Sequence, residues 1–222
     1  MEYKKRSDVH WARKIWHMGG VSLILLLYVL APPPMAILAI LGAWAICIPI
    51  DLARQRNPQL NEFLVQWFKP IIRDHEVHRL AGTSYLLTGV GFVAVLCPRE
   101  VTILTLLYLA FADPLASFVG IKWGRDKILG NKSLQGSVAA FLVCTLATFF
   151  FLYSRGLLLD HLFVVSLSGG LIGCLAELIP IGRIDDNFTL PVVSAGSLWA
   201  LFSIFGLFAN LSAGGGGGGG AL

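Results

Sequence analysis

Asp113 stands inside a stretch that otherwise reads as a membrane span, and that span runs directly into a basic, glycine-spaced segment ending at Ser137. An acid within hydrocarbon costs about 2.5 to 3.5 kcal/mol even on a lenient insertion scale, so lipid contact alone does not account for it. From the acid, Ala116, Ser117, Gly120 and Gly124 fall at helical spacing and leave a stripe poor in side chains on its own face. Either a second helix or a ligand can approach such a stripe. Lys122, Arg125, Lys127 and Lys132 then surround Gly124 and Gly130, and the run closes with Lys132, Ser133 and Gly136. Basic groups and open backbone amides beside an acid suit a phosphate chain with its divalent cation. A P-loop would bind phosphate too, but it needs two glycines four residues apart followed directly by Lys and Ser or Thr. Asn131 separates Gly130 from Lys132, and the preceding segment is a span rather than a buried strand, so that order fails.

Three more clusters carry chemistry-bearing residues. Arg13, Lys14 and His17 share a helix face ahead of the first span, where they serve either as an anchor on anionic lipid or as contacts to a nucleotide or lipid head group. His75, Glu76 and His78 lack the i, i+4 histidine spacing of a zinc helix. Glu177 lies near the end of an apolar run, and Asp185, Asp186 and Asn187 precede the last one. The latter three are good helix caps, and the two acids are also candidate metal ligands.

The spacing Asp113, Ala116, Gly120, Gly124, Lys132, Ser133, Gly136 resembles the CTP-binding signature of the polyprenol kinase family, which includes dolichol kinase, phytol kinase and the CTP-dependent diacylglycerol kinases. Many members carry a double basic residue and a Glu before the final Gly, where this chain has Asn131, Lys132 and Gln135. The Arg-Lys-x-x-His run at Arg13 resembles the same family and the related phosphatidate cytidylyltransferases. Glu76, Arg79, Gly82 and Tyr85 resemble a further motif of the family, with Glu76 and Arg79 as a supporting ion pair. The block Glu177, Pro180, Asp185, Asp186, Asn187, Pro191 resembles phytol kinase. The resemblance implies a CTP-dependent kinase of a membrane lipid alcohol: a polyprenol, phytol or diacylglycerol. Ala116, Ser117, Gly120, Gly124, Lys132, Ser133, Gly136, Arg13, Lys14, His17 and Asn187 would bind the nucleotide. Mg2+ would be held by Asp113 with Asp185 or Asp186, and one of Asp113, Asp186 and Glu177 would accept the hydroxyl proton. A CTP-using phosphatidate cytidylyltransferase is the alternative on the same site. A small ion- or proton-coupled transporter is the alternative of another class, opposed by the lack of an inverted repeat.

The elements that must position these residues follow from composition. A chain of 222 residues that is 56% hydrophobic and 14% charged, with mean hydropathy +0.73, is an integral membrane protein rather than a soluble domain. Its net charge of +4 therefore bears on topology, and no nucleic-acid partner is expected. Apolar stretches at about 18–31, 35–50, 82–96, 101–121, 137–153, 162–179 and 188–209 predict an all-α bundle of about seven transmembrane helices. The first is short and borrows the preceding basic helix to cross. Leu60, Phe63, Leu64, Trp67 and Phe68 predict an interfacial amphipathic helix between the second and third. Pro114 predicts a break after Ala112, with Asp113 as N-cap of the restarted helix. Residues 1–211 form one catalytic domain, and 212–222, with seven consecutive glycines, form a flexible tail. No signal-peptide cleavage site is evident. Cys47, Cys97, Cys144 and Cys174 form no metal or disulfide pattern. Of seventeen Lys and Arg, all but Arg99 and Arg155 fall in segments on one side, which predicts a cytoplasmic N-terminus and a cytoplasmic site.

Overall fold

The computed structural model describes residues 11–209 except Ile181 and Arg183, and excludes the His75 side chain. The basic residues Lys4, Lys5 and Arg6, the Arg183 of the charge count, the histidine pair at its His75 end and the glycine-rich tail lie outside the described residues.

Each of the seven apolar stretches becomes a helix. α1 (Trp11–Leu30) carries Arg13, Lys14 and His17 in its first two turns, so the short first span does borrow its basic lead-in. Pro33 and Pro34 do not hold α2 off until Met35. They occupy its first turn, where a missing N–H costs nothing, and α2 (Pro33–Arg56) runs past Ile50. Asn57 then caps the amphipathic α3 (Pro58–Phe68), accepting from the amides of Gln59 and Leu60 at 3.0 and 3.2 Å. Val65 faces inward while Phe63 and Trp67 are exposed, as the apolar edge of an interfacial helix requires. α4 (Gly82–Leu96) is 15 residues long, short of an ordinary span. Six other helical rods among the described residues are long and apolar enough to cross a membrane.

The central rod departs from expectation. α5 (Arg99–Leu107) passes through a π-helical turn, Tyr108–Ala112, into α6 (Asp113–Lys122), and the helix is never broken at Pro114. Residues Val101 to Leu106, Tyr108 to Ala110 and Ala112 are buried and form the middle of the core with Leu152, Leu198 and Phe202. α7 (Leu134–Ser154) packs on α8 (Leu162–Leu178) through Gly169, Gly170 and Gly173, where an added Cβ would collide with Thr148, Thr145 and Cys144. Close backbone approach of this kind replaces the hydrophobic driving force that lipid removes. α9 (Asp186–Ile204) closes the bundle against α4 and α8.

The basic segment after α6 folds into a short antiparallel hairpin, β1 (Lys127–Leu129) and β2 (Lys132–Ser133), turning at Gly130 with φ +56°. The start of α1, the ends of α2, α6 and α8, the starts of α4, α7 and α9, and this hairpin meet at one end of the bundle. At the other end Arg99 donates to the carbonyl of Val29 at 2.9 Å, away from the clustered motifs.

Candidate active site

A cavity of about 470 Å3 opens at the end where the motifs meet, and its walls include every residue proposed for the nucleotide or the metal. Of the supporting pair, Glu76 is buried behind the Arg13 wall and Arg79 is exposed. Among the lining residues are Arg13, Lys14, Arg73, Lys127 and Lys132, facing Asp113, Glu177, Asp185 and Asp186. A concave site with nearly balanced charge of both signs can take a polyanion together with a cation.

α1 supplies one wall, and its three polar residues are all engaged. Arg13 grips Glu76 through both carboxylate oxygens at 2.8 and 2.9 Å and donates to the carbonyl of Ile71 at 2.9 Å. Lys14 Nζ donates to Ser117 Oγ at 2.9 Å and to the Pro114 carbonyl at 3.2 Å. His17 Nε2 lies 2.9 Å from the Leu109 carbonyl and 3.6 Å from Asp113 Oδ2. Asp113 itself has helical φ −59° and ψ −53° and follows a helical Ala112, so it caps nothing. Its carboxylate projects from mid-rod into the cavity, and the capping role fails because the π turn absorbs the proline.

The small-residue stripe is used for packing. Ala116 is buried; a Cβ on Gly136 would lie 2.9 Å from its carbonyl, and one on Gly120 would lie 3.1 Å from Ser133 Oγ. A Cβ on Gly124 would collide with the Gly120 carbonyl and with Ser133. The stripe thus seats the hairpin and the start of α7 against α6, and the cavity lies beside that seam. Ser133 caps α7 by accepting from the Gly136 amide at 3.2 Å. Gln135 latches the loop: its Oε1 accepts from Arg125 N at 3.1 Å and its Nε2 donates to Asp126 at 2.7 Å. Lys122 turns away to lie over the rings of Phe118 and Trp123.

A further wall joins the hairpin to α8 and α9. Lys132 Nζ is 2.5 Å from Glu177 Oε1 and 3.3 Å from Asp186 Oδ2. Burial would lower the lysine pKa, but the charges of Glu177, Asp186 and Asp113 outweigh it and hold the ammonium above its ordinary value. Asp185 is the N-cap of α9, accepting from Asn187 N at 3.0 Å. Asn187 and Arg13 both crowd Gly82, whose missing side chain lets the starts of α1, α4 and α9 converge. Among the described residues no three His, Cys, Asp or Glu side chains cluster as a preformed metal site. Asp113, Asp185 and Asp186 nonetheless line the same cavity, which fits Mg2+, an ion held by one or two carboxylates with substrate phosphates completing its octahedron.

The expected Glu76–Arg79 pair does not form. Glu76 is buried and taken by Arg13, whereas Arg79 is exposed and offers only its carbonyl to Arg54 at 2.6 Å. Burial would raise the Glu76 pKa, but the hydrogen bonds and charge of Arg13 and the Arg73 amide bring it below the usual value. Sequence reasoning also missed Asp51 and Arg54. Arg54 bonds Asp51, Asn61 and the carbonyls of Glu76, Val77 and Arg79, while Asp51 accepts from Ala81 N and Ser84 Oγ. This buried pair fixes the 71–81 segment, and so Glu76, under Arg13. Arg73, also unexpected, lines the cavity from that segment.

The chain is 32% identical over 163 residues to CTP-dependent diacylglycerol kinase 1 of Schizosaccharomyces pombe, covering 68% of this chain and 74% of the relative. The chain belongs to the polyprenol kinase family. Within that family it is also 28% identical to the CTP-dependent diacylglycerol kinase 1 of Saccharomyces cerevisiae over 213 residues, 87% of this chain and 73% of the relative. The corresponding protein of Eremothecium gossypii is 33% identical over 168 residues, 66% of this chain and 52% of the relative. No family model matches the chain. No solved structure matches it either.

Proposed function

We propose that this polyprenol kinase family member is a CTP-dependent kinase that phosphorylates the hydroxyl of a membrane lipid alcohol, with diacylglycerol as the acceptor. The observation that carries the reading is the cavity in which the hairpin lysines, the α1 basic face and Asp113, Asp185 and Asp186 come together. Diacylglycerol is favoured over phytol or a polyprenol because the three relatives are named as CTP-dependent diacylglycerol kinases.

In this reading the triphosphate lies between Lys14, Arg73, Lys127 and Lys132, whose charges draw electron density from the γ-phosphoryl group as it leaves CDP. Asp113 with Asp185 or Asp186 would hold Mg2+, which would supply further charge neutralisation. The lipid presents its head group from the bilayer; its O–H bond breaks, an O–Pγ bond forms, and the bond from Pγ to the β-phosphate oxygen breaks. Asp113 or Asp186 takes the hydroxyl proton, while Glu177, committed to Lys132, anchors that lysine. Little covalent work falls to the protein in such a transfer, so positioning and fixed charge carry the catalysis. The site faces the cytoplasm, where the nucleotide is available.

The test is incubation of purified protein with γ-labelled CTP and a panel of diacylglycerol, phytol and polyprenol. Label is expected in the lipid product, with diacylglycerol preferred and CTP favoured over ATP at matched subsaturating concentrations. Release of pyrophosphate with a lipid phosphate acceptor would assign cytidylyl transfer instead. A cysteine placed at Asn131 should label only from the cytoplasmic side.

A further inference from the structure

We propose that His17 is a positioning residue: it supplies the hydrogen bond that Pro114 withholds from the Leu109 carbonyl, and so holds the π-helical turn that aims Asp113 into the cavity.

The bond pattern around the turn takes from the Leu109 carbonyl its helical donor. The Asp113 amide reaches back five residues to the Tyr108 carbonyl, as a π turn demands. The Leu109 carbonyl therefore loses the donor an α-helix would give it, the amide of residue 113. The next donor in the π series would be residue 114, a proline with no N–H. Leu109 is fully buried, where a carbonyl left without a donor is costly. His17 Nε2, 2.9 Å away on α1, is the group that meets it. A carbonyl oxygen only accepts, so the ring must carry its proton on Nε2, and the imidazole acts here as a neutral-capable N–H donor rather than as a phosphate ligand.

The turn matters because of what it does to the register. A π turn inserts one extra residue, so everything after it rotates by about 100° relative to a continuous α-helix. Upstream, Val101 to Leu106 are buried on every side of the rod, while downstream the rotated helix presents Asp113 to the cavity and Gly120 and Gly124 to Ser133. His17 also places its ring 3.6 Å from Asp113 Oδ2, on the side of the carboxylate nearest α1. Without that bond, relaxation of the turn toward α geometry would carry the acid off the cavity.

The link between this bond and turnover rests on the proposed kinase reading; the bond itself does not, and the experiment separates the two. Four proteins are compared in detergent: the parent, His17→Ala, Pro114→Ala and the double variant, with His17→Gln as a conservative rescue. Residue 114 of Pro114→Ala has an N–H for the Leu109 carbonyl, so removing His17 should destabilise the parent but scarcely affect this background. Thermal unfolding reads that non-additivity without any assay of activity. Turnover should follow the same pattern, with His17→Ala lowering kcat by on the order of tenfold or more at nearly unchanged KM for CTP, and His17→Gln recovering most of it. Additive unfolding effects, or a His17→Ala loss that appears in the KM for CTP and is equal in both backgrounds, would overturn the proposal and make His17 a nucleotide contact. A parent protein without kinase activity would remove the proposed function while the unfolding cycle still decided the hydrogen bond.

Discussion

Lys132 Nζ bridges Glu177 Oε1 at 2.5 Å and Asp186 Oδ2 at 3.3 Å, so a single ammonium joins the hairpin to both α8 and α9. The Glu177 side chain is 4% exposed and that of Lys132 26%, which makes the acid the partner with more to lose.

Lys132→Met should therefore destabilise the protein and abolish transfer together. Removing one member of a buried pair costs roughly 3 to 5 kcal/mol, and the partial exposure of Lys132 places the expectation at the lower end. Adding Glu177→Gln should return most of the stability, because no uncompensated carboxylate remains, but none of the activity. Thermal unfolding and turnover on the same samples check this; a Lys132→Met protein as stable as the parent would show that the ammonium holds nothing together.

The Arg13–Glu76 pair has a pH signature. Its carboxyl titrates below the ordinary value in the folded protein, so it adds stability that is fully present above the unfolded-state pKa, about 4.3. That contribution is lost as pH falls through the lower folded value. Glu76→Gln should be less stable than the parent near neutrality, and the difference should shrink steadily in acid below about pH 4.3. A gap in unfolding temperature that does not narrow there would disconnect the pair from the fold.

Three glycines in unlike settings should respond differently to alanine. Gly124→Ala forces a methyl into the Gly120 carbonyl and Ser133, so the hairpin must move off α6, and both stability and CTP affinity should fall. Gly130→Ala meets open space but must hold φ +56°, a strain of about 1 to 2 kcal/mol. Gly42→Ala, in mid-helix with nothing nearby, should be neutral or slightly stabilising. Equal effects at all three positions in unfolding and nucleotide-binding measurements would contradict the seam between α6 and β2.

The helices and the residues that gather at one end were readable because hydropathy sets the rods and alternating direction brings every second connection to the same end. Partner choice was not readable. Glu76 has Arg79 three residues away, yet the bidentate partner is Arg13, 63 positions upstream, since only the packed bundle brings α1 over the 71–81 segment. Asp51 and Arg54 look like a surface i, i+3 pair at a helix end; their burial comes with four acceptors and two donors contributed by later chain. Asp-Pro has the local form of a helix start, and nothing near it in sequence reveals that a histidine almost a hundred residues earlier makes an unbroken π turn tolerable. The stripe at Gly120 and Gly124 was correctly recognised as a place of close approach, but whether helix or ligand came close depended on where α7 begins.

The continuous helix sharpens what Asp113→Asn can test. Because Asp113 caps no helix, the amide replaces a carboxylate of nearly the same shape without costing a backbone hydrogen bond, and unfolding should change little. Phosphoryl transfer should fall much further. An amide lacks the negative charge that would hold Mg2+ against the phosphate chain, and a loss of even about 4 kcal/mol of transition-state stabilisation slows turnover about a thousandfold. The informative result is the contrast between the two measurements on one detergent-solubilised sample. Asp113→Asn is expected to melt with the parent and to leave lipid phosphate at background. Near-parental turnover at low Mg2+ would show that the carboxylate only accompanies His17 at the edge of the cavity, and the transfer site would have to be rebuilt around Asp185 and Asp186.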